Sequence, residues 1–133
     1  MLRGRSGSGK SDLALRFLCL APHGPAAIGP TELVADDQVV LTRDGDQVLA
    51  GCPESIRGKI EVRGVGIVDM ASLSSCALAL VVDLVTPAEV ERLPTHEEKV
   101  RLLGVDLPLL RLAPFEPSAP VKLALAVAHA GRS

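Results

Sequence analysis

Gly4-Arg5-Ser6-Gly7-Ser8-Gly9-Lys10-Ser11 fits the pattern G-x-x-x-x-G-K-[ST] at every fixed position. These residue types suit one task, the holding of linked phosphates. Glycines at 4, 7 and 9 let the backbone fold closely about an anion and turn successive N–H groups toward its oxygens. Lys10 supplies a cation that reaches the outer phosphates, and the Ser11 hydroxyl is a hard oxygen ligand for Mg²⁺. A helix beginning at Lys10 would aim its positive end at the same anion. A Gly/Ser linker would explain the glycines, but not a Gly-Lys-Ser run followed at once by amphipathic residues.

Two further groups could work with such a loop. Glu32-Leu33-Val34-Ala35-Asp36-Asp37 closes an apolar stretch with two carboxylates. In an open α/β sheet, ligand chemistry collects at the ends of strands. Side chains alternate along a strand, so only one of the two aspartates can face the loop. It could hold Mg²⁺ through water or accept a hydroxyl proton during phosphoryl transfer. The other reading of the pair is an exposed acidic turn. Farther on, Arg57, Lys59, Glu61 and Arg63 alternate with Gly58, Ile60 and Val62, and Gly64 and Gly66 follow. On an extended segment these charges share one face. Either Glu61 completes a Mg²⁺ site while arginines such as Arg63 steady phosphate charge, or the face is solvated and laced with weak ion pairs.

These groups need elements to position them. Leu13, Phe17 and Leu20 recur at helical spacing, with Ser11 and Asp12 in the first turn, which predicts a helix over residues 10–20. Residues 21–30, rich in Pro and Gly, predict a loop, and residues 32–35 a short strand. Residues 39–41 and 47–50 flank Asp44-Gly45 and predict a hairpin. Residues 60–62 and 66–68 read as extended, and the aliphatic run 76–85 reads as one strand buried on both faces. Thr86-Pro87-Ala88-Glu89 has the form of a capping box with Pro at the first helical position, predicting a helix to about residue 93. A strand over 107–112 and a helix over 120–129, stopped by Gly131, complete the pattern. A phosphate loop ordinarily follows a buried strand, yet only Met1-Leu2-Arg3 precede this one, so either the leading strand is missing or it begins upstream of this sequence. The pattern predicts a single α/β domain over residues 1–133, with the phosphate loop at one end of a mixed sheet and helices flanking it.

Composition removes other classes. The chain has 133 residues, 47% hydrophobic and 23% charged, enough for one core. Phe17 and Phe115 are its only aromatics, too few for a surface that stacks successive bases, and they imply weak recognition of a nucleotide's base. A net charge of -2 gives no general polyanion-binding surface, so no nucleic-acid partner is expected. The longest apolar run, 76–82, is far shorter than the roughly 18 residues of a membrane span. No apolar leader follows Met1, and Cys19, Cys52 and Cys76 share no metal or disulfide spacing, so a cytoplasmic location is expected.

Taken in order, residues 4–11, Leu33-Val34-Ala35-Asp36-Asp37 and Ile60-Glu61-Val62-Arg63-Gly64-Val65-Gly66-Ile67 resemble the catalytic domain of HPr kinase/phosphorylase. The last stretch is similar to that family's E-[VI]-R-G-x-G-I signature, and Pro53-Glu54-Ser55-Ile56-Arg57-Gly58 resembles the stretch before it. The resemblance is convincing over residues 4–70. It implies a P-loop kinase-like fold and an ATP-dependent serine kinase acting on HPr, a phosphocarrier of the phosphotransferase system, or on a paralogue. Reverse phosphorolysis would be its companion reaction, and the resemblance implies a homo-oligomer, a hexamer. ATP or pyrophosphate and Mg²⁺ are the implied cofactors. By the same resemblance Gly4, Arg5, Ser6, Gly7, Ser8, Gly9, Lys10 and Ser11 bind the nucleotide, with Lys10 on the phosphates. Ser11 and Glu61 contact Mg²⁺, and Asp37 is the base in the kinase direction and the acid in the reverse. Arg63 lies in the segment 60–69 that matters to both reactions, and Arg101, in Arg101-Leu102-Leu103-Gly104, matches an arginine ahead of the family's terminal portion.

The sequence departs from the family in three places. The family's catalytic His precedes the phosphate loop and would lie outside this chain. The segment 21–30 is longer than usual, and the family's P-x-R-P-G-R stretch is replaced by Pro117-Ser118-Ala119-Pro120-Val121-Lys122. The pattern resembles the short proteobacterial form, which lacks the N-terminal domain. Two other classes fit the loop. One is a small-molecule kinase, which would bring an arginine-rich lid where this chain has only Arg92, Arg101, Arg111 and Arg132 in its second half. The other is a nucleotide-binding regulatory module without turnover.

Overall fold

A computed structural model describes residues 1–20 and 29–130. Its elements are β1 (Leu2–Arg3), α1 (Lys10–Leu18), β2 (Val40–Asp44), β3 (Gln47–Gly51), β4 (Lys59–Val62), β5 (Gly66–Asp69), β6 (Ser75–Ala77), β7 (Val81–Leu84), β8 (Glu98–Leu102), β9 (Val105–Leu112) and α2 (Ala119–Ala130). The central sheet is four-stranded in the order β1-β7-β9-β8. β1, β7 and β9 run parallel, and β8 closes the edge as an antiparallel hairpin with β9. A three-stranded antiparallel sheet β2-β3-β6 and the hairpin β4-β5 complete the β-structure among the described residues.

Strand alternation divides the core into two halves. Val82, Leu84, Leu110 and Leu112 point to the helical face, where Leu13 of α1 and Ala119 and Leu123 of α2 bury against them. Val81, Leu107 and Leu109 point the other way and pack with Val48 and Leu41 of the antiparallel sheet. The central sheet is therefore covered on both faces, as a sheet with parallel strands requires.

Several sequence expectations change. The two residues before the phosphate loop do form a strand: Leu2 pairs with Val82 and Arg3 with Asp83. Residues 32–35 make no strand; Leu33 forms a single bridge to Ser72. The aliphatic run 76–85 is not one strand. Its start belongs to β6, paired with β3, and its end to β7, paired with β1 and β9, so one hydrophobic run serves two sheets. The helix after Thr86 is only a 3₁₀ turn, Pro87–Glu89, and Val90 is already extended. One capped turn does not pay the nucleation cost of a helix when the residues after it bury no apolar face. β8 was absent from the sequence reading. The predicted loop 21–30 lies largely outside the described residues, as does Gly131. No helix among the described residues is long and apolar enough to cross a membrane.

The β8–β9 hairpin turns through Leu103 and Gly104, with φ at 49° and 80°. A leucine in the left-handed region is strained, and Leu103 is half exposed, so little packing compensates. Leu103→Asn creates the Asn-Gly pair that such two-residue turns favour, and we expect about 0.5–1 kcal/mol of added stability, read as a higher urea midpoint.

Candidate active site

The phosphate loop joins the carboxyl end of β1 to the first turn of α1. Gly9 caps that helix at φ 93°, and its carbonyl accepts the N–H of Leu13 at 2.9 Å. A Cβ at Gly4 would collide with the Ser8 hydroxyl, so the loop closes this tightly only with glycine there. The Lys10 ammonium lies back over the loop and donates to the carbonyl of Gly4 at 2.5 Å and of Arg5 at 3.4 Å. The Ser8 hydroxyl is buried with no hydrogen-bond partner among the described residues, a polar atom that an anion seated in the loop could satisfy.

From α1 the site extends to the acidic pair. The Ser11 hydroxyl donates to Oδ1 of Asp36 at 2.8 Å, and the backbone N–H of Glu61 donates to its Oδ2 at 3.2 Å. One carboxylate thus ties α1 to β4. Ile60 helps hold this arrangement, because its side chain is almost fully buried while its neighbours Lys59 and Glu61 face out. Asp37 is exposed and makes no hydrogen bond to a described residue. The expectation that strand alternation separates the two aspartates is therefore replaced. The segment is bent rather than extended, and hydrogen bonding separates them.

The remaining sequence candidates divide. Arg63 sits exposed in the β4–β5 turn, on the same hairpin as Glu61, without an ion pair to a described residue. Arg101 is not brought to the loop. It pairs with Asp106 at 2.8 Å near the start of β9, six residues before Leu112 at the end that faces the loop, a run of about 20 Å. Hydrogen bonding between the two raises the Arg101 pKa and lowers that of Asp106.

Other participants were not singled out from sequence. Arg3 grips Asp83 at 2.7 and 3.0 Å across the β1–β7 pair, and that bonding raises the arginine's pKa. Arg111 lies beside Asp83 on the next strand and is paired with Glu98 at 3.1 Å, so charges alternate across the sheet just below the loop. Thr86 donates to the Glu89 carboxylate at 2.8 Å through its hydroxyl, which lowers the Glu89 pKa. Between the loop, residues 84–87 and residues 113–117 lies a cavity of about 940 Å³. Its place at the carboxyl ends of parallel strands is where open α/β sheets bind ligands.

The residues at the node fit a hard cation. Ser11, Asp36 and Glu61 offer oxygen donors, and Mg²⁺ is commonly held by one or two carboxylates with the rest of its shell from phosphates and water. Among the described residues no cluster of three or more His, Cys, Asp or Glu could hold a metal ion.

Comparison with known proteins agrees in sequence and in fold. A family model described as HPr Serine kinase C-terminal domain matches residues 1–130. HPr kinase/phosphorylase of Caldicellulosiruptor bescii is 34% identical, over 96% of this chain and 42% of the relative. That of Chlorobaculum tepidum is 38% identical, over 86% of this chain and 34% of the relative. The chain thus spans about two-fifths of the length of the curated relatives it matches. The solved structure of the Hpr(Ser) kinase/phosphatase from Coxiella burnetii superposes with a TM-score of 0.77 at 23% identity, covering 98% of this chain and 87% of that one, which shows the shared fold.

If Asp36 is the tie between α1 and β4, Asp36→Ala should lower stability by about 1 kcal/mol, the usual worth of hydrogen bonds this exposed. Glu61→Ala should stay within about 0.5 kcal/mol of wild type, because Glu61 enters the tie through its backbone. Urea unfolding of the two variants side by side checks both.

Proposed function

The chain belongs to the HPr serine kinase C-terminal domain family, and from that premise we propose that it transfers the terminal phosphoryl group of ATP to a serine hydroxyl of an HPr-type phosphocarrier protein. The Ser11–Asp36 hydrogen bond carries this reading. It joins the phosphate loop to an acidic pair 25 residues away, whose second member, Asp37, is exposed and makes no hydrogen bond to a described residue.

In the transfer, the serine oxygen forms a bond to the terminal phosphorus as the bond to the bridging oxygen breaks, and the nucleoside diphosphate leaves. The transition state is loose, so positioning and charge neutralisation do most of the work. Lys10 exchanges its carbonyl partners for phosphate oxygens. The loop N–H groups and the positive end of α1 stabilise the same charge. Asp37 takes the seryl proton. Asp36 is committed to Ser11 and the backbone of Glu61, so its role is to hold Ser11 in place. Ser11, Asp36 and Glu61 would hold Mg²⁺, which when bound neutralises charge between the outer phosphates. The reverse reaction would use the same groups, with Asp37 returning the proton. The proposal includes assembly as a homo-oligomer, which sedimentation of the purified chain tests.

The direct test is incubation with Mg-ATP and purified HPr, followed by identification of the modified residue. Phosphoserine is expected, and nucleotide binding without turnover would mark a regulatory module instead. Lys10→Ala should weaken Mg-ATP binding and abolish transfer. Asp37→Asn should keep nucleotide affinity and lose roughly 10²–10⁴-fold in rate, the range for a general base. Asp36→Asn should instead raise the Mg²⁺ needed for half-maximal rate. A dead Asp36→Asn beside a near-normal Asp37→Asn would reverse the two assignments.

A further inference from the structure

The cavity beside the loop is closed on one side by a segment with no part in the transfer described above, Pro114-Phe115-Glu116 between β9 and α2. Phe115 is one of two aromatic residues in the chain, and it is 72% exposed. A large apolar ring left open at a cavity mouth forgoes the burial that would stabilise it in the core.

The segment is nonetheless held firmly. The Arg16 guanidinium donates to the carbonyl of Pro114 on one side of Phe115 and to that of Glu116 on the other, the latter at 3.3 Å. Arg16 is itself held by Asp12 at 2.9 Å, and Lys122 holds the Glu116 carboxylate at 2.6 Å. The ring's Cε1–Cζ edge rests on Gly9, where an added Cβ would sit 3.0 Å from Cε1. The backbone around Phe115 is thus anchored to the phosphate-loop helix, and only an edge of the ring rests on the loop. Because β1, β7 and β9 run parallel, the segment leaving β9 lies at the same end of the sheet as the phosphate loop leaving β1. Leu84, Val85 and Pro87 give the cavity apolar surface as well.

We propose that Phe115 is the platform on which the base of the nucleotide stacks once its phosphates occupy the loop; this rests on the kinase reading above. The ring offers a π-face but no hydrogen-bonding group to read the edge of a base. Stacking of this kind tolerates any base, so the site should accept purine nucleoside triphosphates with little preference. Sparse aromatics therefore do not mean an unrecognised base, because a single pre-positioned ring suffices.

The test compares ligands with and without a base. Titration calorimetry of Mg-ATP, Mg-GTP and Mg-tripolyphosphate is run on wild type, Phe115→Ala, Phe115→Leu and Phe115→Tyr. Phe115→Leu keeps apolar bulk against Gly9 while removing the π-face. Both Ala and Leu variants should bind ATP and GTP about tenfold more weakly, with tripolyphosphate affinity unchanged, and Tyr should restore wild-type binding. An equal loss for nucleotide and tripolyphosphate would mean that the ring only props the loop, and would overturn the proposal. So would undiminished ATP affinity in Phe115→Leu. A wild-type chain that binds neither ligand would defeat the kinase reading itself, whereas HPr phosphorylation with unchanged nucleotide affinity in the Leu variant would defeat only the stacking role.

Discussion

Two residues of parallel pairing fix where the phosphate loop begins. Leu2 and Arg3 lie against Val82 and Asp83, and the N–H of Val82 donates to the carbonyl of Met1 at 2.8 Å. Leu2 turns into the helical half of the core, and Arg3 turns to the other face to meet Asp83. The ion pair is partly exposed and contributes about 1 kcal/mol at most, so burial does most of the anchoring. The chain then leaves the sheet at one position and reverses through glycines, and Leu13, fully buried against Val82 and Leu112, brings α1 back onto the strands it left. The direction of α1, and hence of its positive end, follows from that return.

The arginines show how charge is apportioned. Arg3, Arg16, Arg101 and Arg111 are each committed to a carboxylate. Arg5 in the loop, Arg57 just before β4 and Arg63 at its end make no ion pair to a described residue. Uncommitted cations therefore flank the phosphate loop and the Glu61 hairpin. Arg43, bonded to the carbonyls of Gly45 and Leu103, and Arg92 also make no ion pair to a described residue, so uncommitted arginines are not confined to these two places.

Local chemistry was legible in the sequence wherever it determines structure by itself. The phosphate loop, the helix from Lys10, the Asp-Gly hairpin and the terminal helix each follow from a few neighbouring residues, and they formed with small changes of boundary. What could not be read depended on distant partners. The aliphatic run 76–85 carries no mark where it leaves one sheet for another, because the division is imposed by β3 on one side and by β1 and β9 on the other. Glu98-Lys99-Val100-Arg101-Leu102 alternates as an edge strand should, but its charges face solvent and it becomes a strand only through β9. The family resemblance points Arg101 toward the site, but its place on β8 opposite Asp106, next to the β8–β9 turn, puts it at the far end of the sheet.

The acidic pair is divided by hydrogen bonding rather than by strand alternation. Alternation along a strand would place Asp36 and Asp37 on opposite faces, but these residues form no strand. They differ in their partners: one oxygen of Asp36 accepts from Ser11 and the other from the N–H of Glu61. Asp37 has no such donors among the described residues. The two neighbours thus differ in what each is bonded to, not in the face of a strand each occupies. The bond to Asp36 ties Ser11, in the first turn of α1, to the backbone of β4 through a single side chain.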